Sequence, residues 1–237
     1  MLVKDWMTEP VITLEEDEPV TKAIQLLKQY KIRRIPITKE GKLVGIITHT
    51  DLKEATPPQF AGIDLKELYE LFLSLKVKDI MTPNPITVSP EDTIERASIL
   101  MLENKISGLP VVNENLYVIG IITQVDIFKL FVQLTGAYFS PYHVALYANS
   151  LNAVPEILEI FRNLQVNIYT IFVWRDELCI EDTCKRRIFI RFQAVGEQKI
   201  TELLEKLGAK FQIVEFKKDD ISNISTKPKE EKNLLIF

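Results

Sequence analysis

The strongest constraint on this chain is that it contains itself twice, since residues 5–52 return as residues 79–127. At an offset of 74, Asp5, Met7, Thr8, Ile12, Thr13 and Ala23 meet Asp79, Met81, Thr82, Ile86, Thr87 and Ala97. Further on, Leu26, Lys31, Ile32 and Pro36 meet Leu100, Lys105, Ile106 and Pro110. One extra residue in the second copy moves the offset to 75, and Gly45, Ile46, Ile47, Thr48 and Asp51 then meet Gly120, Ile121, Ile122, Thr123 and Asp126. Internal repetition of this order implies one supersecondary unit used twice.

Each copy has the same internal grammar. A short extended piece (11–13; 85–88) runs into an acidic stretch suited to a helix start. The helix that follows places Val20, Ala23, Ile24 and Leu27 in the first copy, and Ile94, Ala97 and Met101 in the second, on one face. Two β-rich runs come next, 34–38 and 43–48, then 109–113 and 117–123, the first pair joined by the turn signal Lys39-Glu40-Gly41-Lys42. A second helix is predicted near Asp51 and near Asp126, completing a β-α-β-β-α unit. Between the copies, Pro57 and Pro58 mark a loop, and Asp64 and Glu67 open a connector helix carrying Leu65, Leu68, Tyr69, Phe72 and Leu75.

The order M-T-x-x-x-I-T, helix, K-I-x-x-x-P and G-I-I-T-x-x-D, twice over, resembles a tandem pair of CBS domains, regulatory modules that commonly bind adenine nucleotides. The resemblance implies that Asp51 and Asp126 accept hydrogen bonds from ribose hydroxyls and that Thr48 and Thr123 meet phosphate. It also implies that the apolar residues around the hairpin prolines (Ile35, Pro36; Leu109, Pro110) hold the base, with Thr13, Arg34 and Thr87 beside them. The implied ligand is AMP, ADP, ATP or S-adenosylmethionine, and none is obligatory. Local chemistry agrees: a hydroxyl, a carboxylate and free helix N–H groups converge where a strand turns into a helix, which suits a phosphate and a ribose diol. The same T-x-x-D is also a helix N-cap pattern, and that reading stays open. Lys31, Arg33 and Arg34 precede the first hairpin proline, whereas Lys105, Ser107 and Gly108 precede the second. Arginine's planar fork favours phosphate, so the first copy suits extra phosphates, unless its arginines only solvate a strand edge.

From His143 the pattern changes to strand (143–148), helix (154–164), strand (167–175), strand (186–194), helix (197–207) and strand (211–217). This β-α-β-β-α-β order predicts a ferredoxin-like sandwich. It resembles an ACT domain, a regulatory fold that often binds amino acids at dimer interfaces, through Val166-Asn167-Ile168; Asn152 stands where that family usually has glycine. The expected class is thus α/β (α+β): CBS repeats at 1–56 and 79–135 around a linker at 57–78, a linker at 136–142, an ACT-like domain at 143–217 and a flexible tail at 218–237. This order resembles the AcuB-type proteins named for acetoin utilisation.

Composition narrows the function. Hydrophobic residues make up 46%, ordinary for a folded protein, and 29 Lys plus Arg stand against 33 Asp plus Glu. A net charge of -4 argues against nucleic acid as the main partner. Polar residues interrupt the one long uncharged stretch (130–155), so no transmembrane helix is predicted. The first residues lack a secretory pattern, so the cytoplasm is expected. Cys179 and Cys184 lack the second pair of a structural zinc site and read as reduced loop thiols, and no metal is expected. Only His49 and His143 are available as histidines, neither in a recognisable triad, so no catalysis is expected. The reading is a homodimeric, non-catalytic sensor that relays nucleotide occupancy to a separate effector protein. A ligand-free dimerisation scaffold, or an amino-acid sensor acting through the ACT-like domain, is the alternative.

Overall fold

The computed structural model describes residues 1–55, 73–149, 153–175 and 186–219. The connector helix at 64–72, Asn152, the loop holding Cys179 and Cys184, and the tail after Asp219 lie outside these residues. The chain divides into two compact units between Phe128 and Lys129.

In the first unit, the first repeat comprises β1 (Leu14–Glu15), α1 (Val20–Gln29), β2 (Arg34–Lys39), β3 (Lys42–Thr48) and α2 (His49–Ala55). The opening of the second repeat supplies α3 (Val77–Ile80) and β4 (Thr82–Pro83). That repeat continues with α4 (Ile94–Glu103), β5 (Gly108–Val112), β6 (Val118–Thr123) and α5 (Gln124–Leu134). Duplication persists in detail. Lys31 and Lys105 both leave their helices with positive φ, 51° and 53°. Both hairpins carry a register shift at the equivalent step, Ile37/Thr38 and Val111/Val112. The apolar stripe of α1 lies on the sheet: Val20, Ala23 and Leu27 join Leu14, Ile35, Ile37, Ile47, Leu52 and Val77 in one buried cluster. Each large aliphatic side chain so buried contributes about 1.5–3 kcal/mol.

The repeats are not self-contained, because each lends its opening segment to the other. β4 pairs antiparallel with β3 of the first repeat, Thr82 beside Ile46. Thr8 bridges Ile121 of the second, with Thr8 N–H donating to the Ile121 carbonyl at 2.8 Å and Ile121 N–H returning the bond at 3.1 Å. A short helical turn precedes each of these strands. Val77 and Lys78 donate to the carbonyls of Glu18 and Glu16, and Val3 and Lys4 donate to those of Asp92 and Pro90. The exchange explains the paired motifs M-T and G-I-I-T. The Met81 side chain lies against Gly45 and that of Met7 against Gly120, so closely that a β-carbon at either glycine would meet the methionine sulfur.

Asp17 ties this junction electrostatically, accepting from Lys76 Nζ at 2.9 Å and Lys78 Nζ at 2.8 Å. The Lys78 hydrogen bond first, then that of Lys76 and both positive charges, lower the Asp17 carboxyl from 3.8 to about 2. A depressed carboxyl stabilises the fold above its unfolded value and loses that contribution as pH falls through the folded one, so the window runs from about pH 4 down to about pH 2. NMR titration is expected to find the Asp17 carboxyl midpoint near 2 and, in Lys76→Ala/Lys78→Ala, a return toward 3.8.

The second unit contains β7 (Tyr142–Ala148), α6 (Ala153–Asn163), β8 (Asn167–Arg175), β9 (Arg186–Gln193), α7 (Glu197–Gly208) and β10 (Gln212–Lys218). Its sheet has the order β10-β7-β9-β8, every neighbour antiparallel. β9 alternates buried and half-buried residues, directing Ile188, Ile190 and Phe192 into a core with Ile157 and Phe161 of α6 and Leu203 and Leu207 of α7. Phe192 sits at its centre, edge-on to Phe161 at 5.4 Å and stacked with Tyr142 at 5.8 Å.

Residues 136–142, read from the sequence as a linker, are packed within the second unit. The buried Ser140 hydroxyl donates to the Phe192 carbonyl, Arg191 Nη1 donates to the Ser140 carbonyl at 2.8 Å, and Phe139 stacks on Tyr169 at 6.1 Å. Gly136 lies in the turn at 135–139, and Ser140 after it is bonded to β9 of the second unit's sheet. The division between the units falls inside α5.

Candidate functional site

Each repeat ends its hairpin in a corner. In the first, Thr48 closes β3 and α2 begins at His49, so Asp51 is the third helical residue. The helices expected near the aspartates start two residues before them, with the threonines in the N-cap position. Asp51 Oδ2 accepts from the Thr48 N–H and from the Thr48 hydroxyl, both at 2.6 Å, and Thr48 Oγ1 accepts from Thr50 N–H at 3.2 Å. In the second corner Asp126 Oδ2 accepts from the Thr123 N–H at 3.1 Å and its hydroxyl at 2.6 Å. The first T-x-x-D motif is thus a reciprocal cap, since Asp51 N–H also donates to Thr48 Oγ1 at 3.4 Å, and the second repeats its Asp-to-Thr half. Capping occupies one carboxylate oxygen. The other oxygen of Asp51, Oδ1, faces the Thr82 hydroxyl at 3.4 Å, a long contact that a better donor would displace. Asp126 is buried, whereas Asp51 is half-buried.

Cross-strand register decides which predicted residues share this face. Arg34 lies opposite Thr48 and Pro36 opposite Ile46, so these four point to one side; Gly108, Thr123, Pro110 and Ile121 do the same in the second repeat. Ile35 and Leu109 face the other way, opposite Ile47 and Ile122, and all four are fully buried. Ile35 belongs to the cluster under α1, so its side chain is core rather than a wall for a base. Thr13 and Thr87 are half-buried in the extended segments just before Leu14, which pairs with Ile37, and Val88, which bridges Val111.

Arg34 does not solvate a strand edge. Its Nη2 donates to the Ser107 hydroxyl of the other repeat, and its guanidinium lies so close to Gly108 that a β-carbon there would collide with it. Burial, then the neighbouring Arg33, lowers its pKa. Lys31, Arg33 and His49 are exposed. Thr8 and Thr82 went unassigned from sequence although the offset of 74 aligns them. What the alignment does not carry is the exchange that sets Thr82 against Asp51.

Among the described residues, no group of three His, Cys, Asp or Glu is placed to hold a metal, and no helix is long and apolar enough to cross a membrane. His143 lies on β7 between Arg191 and Lys217, and burial followed by Arg191 lowers its pKa. The second unit has an open cavity of about 580 Å³ lined by Leu158, Phe161, Arg162, Val166, Asn167 and Tyr169.

The CBS domain family model matches residues 3–57 and 77–133. The uncharacterized protein MJ1426 of Methanocaldococcus jannaschii is 31% identical over 155 residues, covering 56% of this chain and 92% of that protein. L-aspartate semialdehyde sulfurtransferase of the same organism is 35% identical over 131 residues, 55% of this chain, but the chain spans only 23% of that enzyme's length. Among solved structures, the CBS domain pair of protein MJ0100, in complex with 5'-methylthioadenosine and S-adenosyl-L-methionine, is 34% identical over 56% of this chain and 97% of that one (TM-score 0.47). CBSX2 in complex with AMP is 28% identical over 56% and 97% (TM-score 0.47). A Vibrio cholerae chain described as an acetoin utilization protein (AcuB) is 28% identical over 56% and 92% (TM-score 0.48).

Proposed function

From the premise that this chain belongs to the CBS-domain family and carries the domain twice in tandem, we propose that it is a non-catalytic regulatory protein binding an adenine nucleotide or related adenosyl compound at the Thr–Asp corners. The observation that carries this reading is the corner itself, built twice from the same residues, with the aspartate Oδ2 bonded to the threonine N–H and hydroxyl in each. A carboxylate held rigid by its own helix start is a preorganised acceptor for a ribose diol, and the Arg34 guanidinium lies against Ser107 and Gly108, whose cross-strand partner is Thr123. The AMP- and S-adenosylmethionine-bound CBS pairs hold ligands of this class.

The proposal extends to the second unit, read as a ferredoxin-like, ACT-like domain through which occupancy is relayed in a homodimer to an effector protein in the cytoplasm, in the manner of AcuB-type proteins. Two observations favour other readings. Each aspartate already caps its helix through Oδ2, as a ligand-free scaffold requires, and the cavity beside Val166 and Asn167 is where an amino-acid sensor would use the ACT-like step.

Calorimetric titration of the full chain with AMP, ADP, ATP and S-adenosylmethionine separates these. Saturable binding of at least one adenosyl compound is expected. Failure of all four to bind, with an amino acid binding or with nothing binding, overturns the nucleotide reading.

A further inference from the structure

Exact duplication would put an arginine at the same position in both repeats, but the counterpart of Arg34 at the offset of 74 is Gly108. The backbone of Arg34 belongs to the first corner, since its cross-strand partner is Thr48. Its guanidinium belongs to the second, since it lies on Gly108, whose cross-strand partner is Thr123, and donates to Ser107. Only the missing side chain at 108 leaves room for it. Among the described residues no carboxylate pairs with this half-buried cation, and one hydroxyl is little compensation for a guanidinium with five N–H donors.

We propose that Arg34 is one anion-binding group shared by the two corners, so that the pair accepts one polyphosphate nucleotide and leaves its other corner to an adenosyl compound without phosphate. The inference rests on the nucleotide reading above and adds its regulation. A guanidinium fork grips one phosphate bidentately. A second phosphate arriving at the other corner finds that fork engaged and meets the first phosphate's negative charge. An uncharged adenosyl compound meets neither obstacle, so the two ligand types bind side by side while two polyphosphates antagonise each other.

The test is calorimetry on the full chain with ATP and 5'-methylthioadenosine, in the parent and in Asp51→Ala and Asp126→Ala backgrounds that each leave one corner intact. The parent should take one ATP tightly and a second about 10-fold or more weaker, while 5'-methylthioadenosine still binds to the ATP-loaded chain. Adding Arg34→Ala should weaken ATP about 10-fold or more in both backgrounds and leave 5'-methylthioadenosine within about 3-fold in both. Arg34→Lys, which keeps the charge but loses the fork, should fall between parent and Arg34→Ala for ATP, and unchanged thermal midpoints exclude unfolding as the cause. Loss of ATP affinity in one background only, or two equivalent ATP sites in the parent, overturns the sharing. If neither ATP nor 5'-methylthioadenosine binds the parent, the nucleotide reading itself fails, a result distinct from either of these.

Discussion

Asp51→Ala and Asp126→Ala are each expected to weaken an adenosyl ligand at their own corner by about 10- to 150-fold. A hydrogen bond to a charged acceptor is worth about 1.5–3 kcal/mol, and 1.4 kcal/mol is a tenfold change in affinity. Both variants also lose a cap, because the carboxylate accepts the threonine N–H and hydroxyl in each corner. That loss costs about 1 kcal/mol of stability. The cost should be greater at the buried Asp126 than at the half-buried Asp51, since the groups it leaves unpaired are farther from water. Asparagine separates the two roles. Its amide oxygen can still accept from the threonine N–H and hydroxyl but brings no charge to the ribose, so Asp→Asn should weaken the ligand while moving the denaturation midpoint less than Asp→Ala. A pure capping role would give the opposite pattern, lost stability in Asp→Ala with affinity intact in every variant. Paired titration calorimetry and denaturant unfolding read both quantities.

Phe192→Ala is expected to cost about 3–5 kcal/mol, the range for removing a fully buried aromatic side chain. Phe192 is wholly inaccessible and touches rings from three elements, Phe161, Tyr142 and Phe216. The loss should fall on the second unit alone. The chain provides its own reporters, because Trp6 lies in the first unit and Trp174 in the second. With each tryptophan retained singly, denaturant unfolding of Phe192→Ala should show the Trp174 transition moved to lower denaturant and the Trp6 transition in place. Adenosyl binding at the corners should persist. A common shift of both transitions, with binding lost, would mean that the two units stand or fall together.

Much of the first unit is legible in its sequence because duplication doubles every signal. The helices at 20–29 and 94–103 and both hairpins follow from apolar spacing and turn residues, and the aligned T-x-x-D motifs locate both corners. Three features escape for physical reasons. Strand exchange pairs Thr82 with Ile46 and Thr8 with Ile121, and an internal alignment identifies equivalent residues without saying which copy each will pair with. The orientation of Ile35 and Leu109 is hidden because β2 and β5 are buried on both faces, which erases the alternation that reveals a strand's inner side. Arg34 reads equally as a phosphate-binding group or a strand-edge cation, because its environment is made by a glycine 74 residues away. In the second unit, the β-α-β-β-α-β order is plain from periodicity. The packing of 136–142 is not, since glycine and proline mark a turn equally well whether it is solvated or bonded to a sheet through Ser140.

The central claim is that the Thr–Asp corners of the CBS pair are where an adenosyl ligand is held. A co-crystal structure of the full chain grown with AMP or S-adenosylmethionine measures this directly. The account predicts ligand density in at least one corner, with the ribose hydroxyls within hydrogen-bond distance of Asp51 or Asp126 and the capping bonds to Thr48 and Thr123 intact. Ligand density confined to the cavity between Leu158 and Tyr169, or corners left empty at saturating ligand, would contradict it.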